Sequence, residues 1–445
     1  MNDPLILGIV IGLVTMVILF SGIPVAFGLG LVAFIVLWLS KGWLAVAFLC
    51  EKLFNGLEDF TLVSIPMFVL MGASVAASRA CADLYEAFAR WFHRLPGNLV
   101  AANIGACALF AALTGSSPAT CAAIGKMGIP EMQKRGYGDD LATGAIAAGG
   151  TLGILIPPSL TMILYGIASE TSIGRLFLAG VVPGIMLTVL FILWSTYLCW
   201  TRGDGRAATA ARYTLREHLE MVPKILPFVI VIVGVVYAMY GGHATPSEAA
   251  SVGALLCLIL VMVLYGAWRW SMIVRIFRET TRESIMILLI IATSILFGYM
   301  MSNLRITQAI AESIVGLGLN PWILMFWVNI FLRVLGCFLP PAAIILMTTP
   351  IILPIITRLG FDPVWFGVIL TINMELGLIT PPVGLNLYVI NGIAPQVRLG
   401  TILRGALPFG LLMVLGMVLL CLFPEIATWL PDTVMGVDQN MVRRP

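Results

Sequence analysis

The sequence predicts an all-α polytopic membrane protein built as an inverted repeat, with two re-entrant helical hairpins and two broken transmembrane helices. Three observations lead there: the composition, the alternation of the basic residues, and a self-similarity at an offset of 224 residues. Of the 445 residues, 60% are hydrophobic and only 11% are charged, and the mean hydropathy is +1.03. Soluble domains carry about 25% charged residues. This chain lacks the polar side chains to clothe a surface in water, so membrane lipid must cover most of it. A net charge of +3 is too small to point to nucleic acid. The eight cysteines are scattered through apolar stretches without metal-ligand spacing, and such cysteines behave as small hydrophobes.

The spans read as apolar runs: Leu5–Phe20, Val25–Leu39, Leu62–Ala77, Leu176–Trp200, Ile225–Tyr240, Val252–Tyr265, Ile285–Met301 and Ile402–Phe423. Most approach the ~20 residues needed to cross a bilayer core. Met1–Pro4 has Asp3 and no basic n-region, and no small-residue cleavage site follows, so Leu5–Phe20 reads as an uncleaved first span.

The basic residues cluster at Arg79–Arg94, Lys126–Arg135, Arg202–Lys224, Arg269–Arg282 and Arg398–Arg404, which together hold 17 of the 25 Lys and Arg. The positive-inside rule assigns these segments to the cytoplasm. The other eight, from Lys41 to Arg444, fall on segments that alternate with the first set. One threading satisfies both, with the two termini periplasmic. Arg79–Leu95 and Gly266–Glu283 mix Trp, Phe and Arg without enough apolar length to span. They read as amphipathic helices on the cytoplasmic interface, or else as solvated loops.

Without a gap, Ala119 pairs with Ala343, Pro130 with Pro354, Gly136 with Gly360, Gly153 with Gly377, and Pro157-Pro158 with Pro381-Pro382. Nearby offsets align Pro183 with Pro408 and Pro24 with Pro246. Identities at Gly and Pro mean shared backbone geometry. The threading places Met132–Gly138 inside and Ile356–Asp362 outside, so the halves are inverted, as in secondary transporters that bind at mid-membrane. The first repeat is expected over 1–200, a cytoplasmic linker over 201–224, the second repeat over 225–423 and a periplasmic tail over 424–445.

Each half has a segment too short to span, interrupted by small, polar or Pro residues. Hairpin 1, about 97–132, turns at Gly115-Ser-Ser-Pro-Ala-Thr, and hairpin 2, about 321–356, turns at Gly336-Cys-Phe-Leu-Pro-Pro. Each precedes a broken span, about 140–168 with its break at Gly149–Ser159, and about 363–394 with its break at Gly377–Asn386. A break inside the bilayer leaves backbone groups unpaired, each costing several kcal/mol unless satisfied. The reading without function is a Pro kink satisfied by neighbouring helices. The functional reading puts a cation on the freed carbonyls and an anion at the helix N-termini. A hard cation such as sodium prefers oxygen, and the hydroxyls of Ser116, Ser117, Thr151 and Thr380 add to those carbonyls.

At these motifs the chain resembles the large membrane subunit of the TRAP (tripartite ATP-independent periplasmic) transporters. The matching strings include Gly115-Ser-Ser-Pro-Ala-Thr, Ala147-Ala-Gly-Gly-Thr-Leu-Gly-Ile-Leu-Ile-Pro-Pro-Ser, Gly360-Phe-Asp-Pro-Val-Trp-Phe-Gly and Glu375-Leu-Gly-Leu-Ile-Thr-Pro-Pro-Val-Gly-Leu-Asn. They cover both halves in order. The resemblance implies an elevator-type carrier in the bacterial inner membrane, with sodium as coupling ion and no other cofactor. It also implies a small organic-acid substrate, a periplasmic substrate-binding protein and a small membrane subunit. This chain opens on its first large-subunit span, so the small subunit is expected as a separate polypeptide. Many relatives have an acid near the second hairpin tip, where this chain has Pro340-Pro341.

The expected sodium positions are Gly115, Ser116, Ser117, Gly150, Thr151, Gly153, Gly336, Gly377 and Thr380. The expected substrate-facing positions are Thr120, Pro157, Pro158, Ser159, Pro340, Pro341, Pro381, Pro382 and Asn386. Glu375 is an intramembrane carboxylate, a functional candidate by default, or a structural partner for a group such as Asn373. Arg333 either contacts a substrate carboxylate or snorkels to the interface. The alternative class is a stand-alone sodium/dicarboxylate carrier. An enzyme would need a convergent catalytic set, yet only His93, His218 and His243 occur, with no HExxH or GxSxG string.

Overall fold

Helix ends fall where the sequence supplies caps and breakers. α1 (Pro4–Phe20) begins on Asp3, whose carboxylate accepts from Leu5 N–H, with Pro4 at the first helical position. α2 (Val25–Lys41) follows Pro24. α3 (Leu44–Leu57) and α4 (Ser64–Ala76) meet at a short 3₁₀ turn capped by Asp59, where the chain bends by 60°. The structure is a computed structural model and describes residues 3–95, 97–203, 214–266, 268–316 and 318–436.

α5 (Ala80–Trp91) is the amphipathic helix expected at Arg79–Leu95, burying Ala80, Cys81, Leu84, Tyr85 and Ala87. Its Asp83 pairs with Lys224 Nζ at 2.9 Å and accepts from Tyr265 OH at 2.9 Å. The first hairpin is α6 (Asn98–Thr114) with α7 (Ser117–Lys134). The first broken span is α8 (Asp139–Leu155) with α9 (Leu160–Ser169), and α10 (Ile173–Arg202) follows.

Short α11 (Leu215–Leu219) opens on a Thr214/Glu217 capping box. Then come α12 (Val222–Tyr240), α13 (Pro246–Tyr265), α14 (Trp270–Asn303) and α15 (Ile306–Gly316). The second hairpin is α16 (Pro321–Gly336) with α17 (Pro341–Arg358), and the second broken span is α18 (Pro363–Leu378) with α19 (Leu385–Ile393). α20 (Leu399–Leu422) and α21 (Glu425–Met435) close the chain. The order hairpin, broken span, long helix therefore occurs twice, as α6–α10 and α16–α20. No strand occurs among the described residues.

Seven helical stretches among the described residues are long and apolar enough to cross a membrane, counting α8–α9 as one. α1, α2, α6, α16 and α18 are apolar but shorter. The protein is an all-α, multi-pass membrane protein.

Two boundaries differ from expectation. Gly266–Glu283 is not a separate interfacial helix: its charged part is the start of α14, which runs unbroken for 34 residues. No proline interrupts Trp270–Asn303, and one face stays buried through Ile276, Thr280, Ser284 and Ile287 while Arg275, Arg278 and Arg282 remain exposed. The first break is also narrower than expected, because α8 continues through Gly149–Gly153 to Leu155. Part of the expected linker, including Arg206 and Arg212, and the ends of both termini lie outside the described residues.

The core centres on α8, which buries every residue from Leu141 to Leu155. Its small residues allow backbone-to-backbone contact with α20. A Cβ on Gly405 would stand 1.8 Å from Asp140 O, and one on Gly144 would stand 2.2 Å from the Gly405 carbonyl carbon. Gly405→Ala is therefore expected to cost about 1–3 kcal/mol through overpacking, read as a lower thermal midpoint in detergent. Across the halves, Tyr165 OH donates to Pro363 O at 2.7 Å, and within the second half Trp365 Nε1 donates to Leu420 O at 2.8 Å. Arg175 joins α10 to α21 through Asp432 at 2.6 Å and Gly436 O at 2.9 Å.

Candidate functional site

Both hairpin tips dock against the broken span of their own half, and one glycine in each span permits it. A Cβ on Gly153 would lie 2.9 Å from Ser116 O and 3.0 Å from Thr120 Oγ1. A Cβ on Gly377 would lie 2.5 Å from both Gly336 C and Gly336 O. These glycines are partners in the 224-residue register, and each meets its own hairpin, though at positions that do not correspond: Ser116 aligns with Pro340 and Gly336 with Ala112. Gly150 makes a second such approach, with its Cβ position 2.0 Å from Cys121 Sγ.

The tips also meet the breaks directly. Gly115 caps α6 at φ +59°, and its Cβ position lies 2.8 Å from Pro158 O. In the second half, Val383 N–H donates to Cys337 O at 3.2 Å. Each break holds a cis Pro–Pro peptide, at Pro157-Pro158 and Pro381-Pro382. Pro157 and Pro158 are buried, whereas Pro340, Pro381 and Pro382 are exposed.

The hydroxyls divide into those used locally and those that link elements. Thr151 donates to Ala148 O at 2.6 Å, and Thr120 donates to Ser116 O at 2.8 Å with Thr114 Oγ1 at 3.1 Å. Ser159 caps α9 by accepting from Met162 N–H at 3.3 Å, and it hydrogen-bonds Ile154 O, a carbonyl at the end of α8. These four side chains are buried and already partnered. Ser116 supplies its carbonyl to the tip packing, and Pro341 opens α17.

Ser117, Asn386 and Glu375 form the linking group. Asn386, in the first turn of α19, donates through Nδ2 to Ser117 Oγ at 2.7 Å. Glu375, on α18, accepts from Ile154 N–H through Oε1 at 3.1 Å, with the Ser117 side chain beside its carboxylate. All three are almost inaccessible, at 0%, 0% and 1% exposure. Glu375 Oε2 and Asn386 Oδ1 have no hydrogen-bond partner. The group thus joins the first hairpin tip and the first break to both arms of the second broken span. It leaves two buried oxygens open, one of them on the carboxylate, a donor set for a hard cation.

The second junction is charged differently. Arg333 lies one turn before the tip of hairpin 2 and donates through Nη2 to Thr380 Oγ1 at 3.3 Å. Thr380 in turn donates to Leu376 O. Arg333 Nη1 is buried without a partner. Arg333 is one of the residues lining a cavity of ≈ 280 Å³ walled by α16, α18 and α20, together with Trp322, Asn329 and Asn373. Arg333 therefore points inward to the break rather than snorkelling outward. Asn373, considered as a partner for Glu375, instead donates to Asn329 O and Oδ1, each at 2.9 Å, and so ties α18 to α16. Sequence reading missed Asn329; its only signal was an amide within an apolar run.

Residues 12–426 match the family described as the tripartite ATP-independent periplasmic transporter, DctM component. The C4-dicarboxylate TRAP transporter large permease protein DctM of Pseudomonas aeruginosa is 38% identical over 388 residues, covering 87% of this chain and 90% of that protein. The sialic acid TRAP transporter large permease protein SiaM of Vibrio cholerae is 31% identical over 424 residues, covering 95% and 98%. Among solved structures, the YdaH transporter of Alcanivorax borkumensis, described as having an unusual topology, superposes with a TM-score of 0.61. It covers 86% of this chain and 88% of its own at 13% identity, a likeness of fold alone. With the family match running through both hairpins and both broken spans, this chain belongs to the DctM family of tripartite ATP-independent periplasmic transporters, as a membrane permease component and not an enzyme.

Proposed function

We propose that this chain carries a small organic acid into the cell, coupled to sodium, by elevator-type alternating access in the bacterial inner membrane. A periplasmic binding protein delivers the substrate and a small membrane subunit completes the scaffold. The observation that carries the reading is the Ser117–Asn386–Glu375 group, where the first hairpin meets the broken spans of both halves with buried oxygens left open. A cation there neutralises the carboxylate and binds hairpin and breaks into one body that moves together.

The topology supports opposite entry of the hairpins. Five stretches capable of crossing lie between them, Asp139–Ser169, Ile173–Arg202, Val222–Tyr240, Pro246–Tyr265 and Trp270–Asn303. Read as one crossing each, an odd number of them supports entry of α6–α7 and α16–α17 from opposite faces, the arrangement that alternating access about a central site requires. The substrate class follows from the relatives, whose names specify C4-dicarboxylates and sialic acid, both carboxylates.

The test is uptake by proteoliposomes holding this chain and its small subunit, with succinate and sialic acid as first probes, each added with its binding protein. Accumulation is expected only with the binding protein present and a sodium gradient imposed. Uptake that needs neither contradicts the proposal, and efficient uptake by this chain alone marks a stand-alone carrier. Ser117→Ala removes the hydroxyl that Asn386 bonds, and is expected to raise the half-saturating sodium concentration by about 10- to 100-fold. An unchanged sodium dependence counts against this junction as the coupling site.

A further inference from the structure

The two hairpin–break junctions are built alike and charged oppositely. At the first, Glu375 Oε2 and the amide oxygen of Asn386 are buried without a donor, with Ser117 Oγ between hairpin and break. At the second, the guanidinium of Arg333 bonds Thr380 Oγ1, the hydroxyl that the repeat-based reading assigned to a mobile ion. Arg333 has no carboxylate within ion-pair distance among the described residues, so its charge is uncompensated there. In the repeat register the counterparts of Arg333 and Thr380 are Leu109 and Ile156, so the first junction has no arginine at the equivalent position.

We infer that Arg333 is a tethered cation standing in for the mobile ion at the second junction, so that the chain couples through a single sodium ion held at the first by Glu375, Ser117 and Asn386. The inference deepens the sodium-coupled reading above and rests on it. Three physical facts carry it. A guanidinium stays protonated under any working condition, so it cannot make way by losing its charge. A second cation on Thr380 or on the last carbonyls of α18 would sit within a few ångström of that charge and be repelled. Those same carbonyls, at a helix C-terminus, are where a positive charge is favoured, and Arg333 supplies it permanently. The first junction has the complementary need, a buried negative charge with oxygens open and no cation of its own.

The experiment is equilibrium binding of radioactive sodium to the full chain in nanodiscs, with sodium chloride exchanged for choline chloride at constant ionic strength. One ion per chain is expected for the wild type and for Arg333→Lys. Arg333→Leu is expected to open the second junction and bind two. Glu375→Gln is expected to weaken binding by about 10- to 100-fold or more. Two ions in the wild type overturn the inference, and so does an Arg333→Leu protein that keeps the first ion and gains none. If Arg333→Leu fails to fold, the wild-type and Arg333→Lys stoichiometries still decide the question. No sodium bound by the wild type refutes the sodium reading beneath it, an outcome distinct from a wrong stoichiometry.

Discussion

Glu375→Leu is expected to abolish uptake and to destabilise the protein, whereas Glu375→Gln abolishes coupling with the fold intact. The carboxylate is 1% exposed and accepts from Ile154 N–H, two residues before the first break. Leucine fills a similar volume but accepts nothing. It leaves that amide without the carboxylate, and a hydrogen bond to a charged group contributes about 1.5–3 kcal/mol. Glutamine keeps an acceptor for Ile154 while removing the charge that a bound cation requires. The pair of variants therefore separates support of the break from ion binding. Thermal midpoints in detergent read the first and sodium-driven uptake reads the second. A leucine variant with wild-type uptake would remove Glu375 from the mechanism.

The second large effect is expected at Gly377. An alanine there places its Cβ 2.5 Å from the carbonyl carbon and oxygen of Gly336, both backbone atoms that no rotamer change can move. The hairpin tip must shift away from α18. Overpacking of this kind costs about 1–3 kcal/mol. Charged against the docked state alone, that lowers its population by about 5- to 150-fold. Gly153→Ala should behave alike against Ser116 O at 2.9 Å. Gly410→Ala, whose Cβ meets only side-chain methyls at 3.4 and 3.7 Å, serves as the control with near-normal uptake. Equal uptake by Gly377→Ala and Gly410→Ala would show that hairpin 2 need not seat on α18.

Much of the architecture was legible because bilayer physics leaves a loud trace in sequence. A run of about 20 apolar residues that crosses the bilayer has to be helical, because its backbone groups find no water there. The Gly and Pro matches at the 224-residue offset marked backbone geometry that side chains cannot imitate, and the helix ends after Thr114, Leu155, Gly336 and Leu378 fall inside the segments those matches mark. The break at Gly149–Ser159 was drawn too wide for a related reason. Glycine signals a special backbone, but a run of glycines in a fully packed helix serves close approach as readily as a break. In α8 it serves the approach of the hairpin tip. The extent of α14 was misjudged because a polarity change along a helix does not end it when nothing breaks its hydrogen bonds.

The candidate site was legible in its positions and not in its pairings. Ser117, Glu375 and Asn386 stood out as polar residues in apolar or Pro-rich surroundings, and all three converge on one junction. That Asn386 and Glu375 of the second half complete the junction of the first half is a contact across 269 and 221 residues, respectively. No local spacing encodes it. The same holds for Arg333, whose inward direction toward Thr380 depends on how α16 is rotated against α18.

By itself, then, the sequence determined the solvent, the helices, the repeat and the residues fit for chemistry, since hydropathy, charge and Gly/Pro placement act over one or two turns of chain. Only the tertiary structure decided which polar groups share a junction and which are spent on their own helix. Those outcomes are set by close packing between distant segments, where a single Cβ or one turn of helix rotation changes the partner.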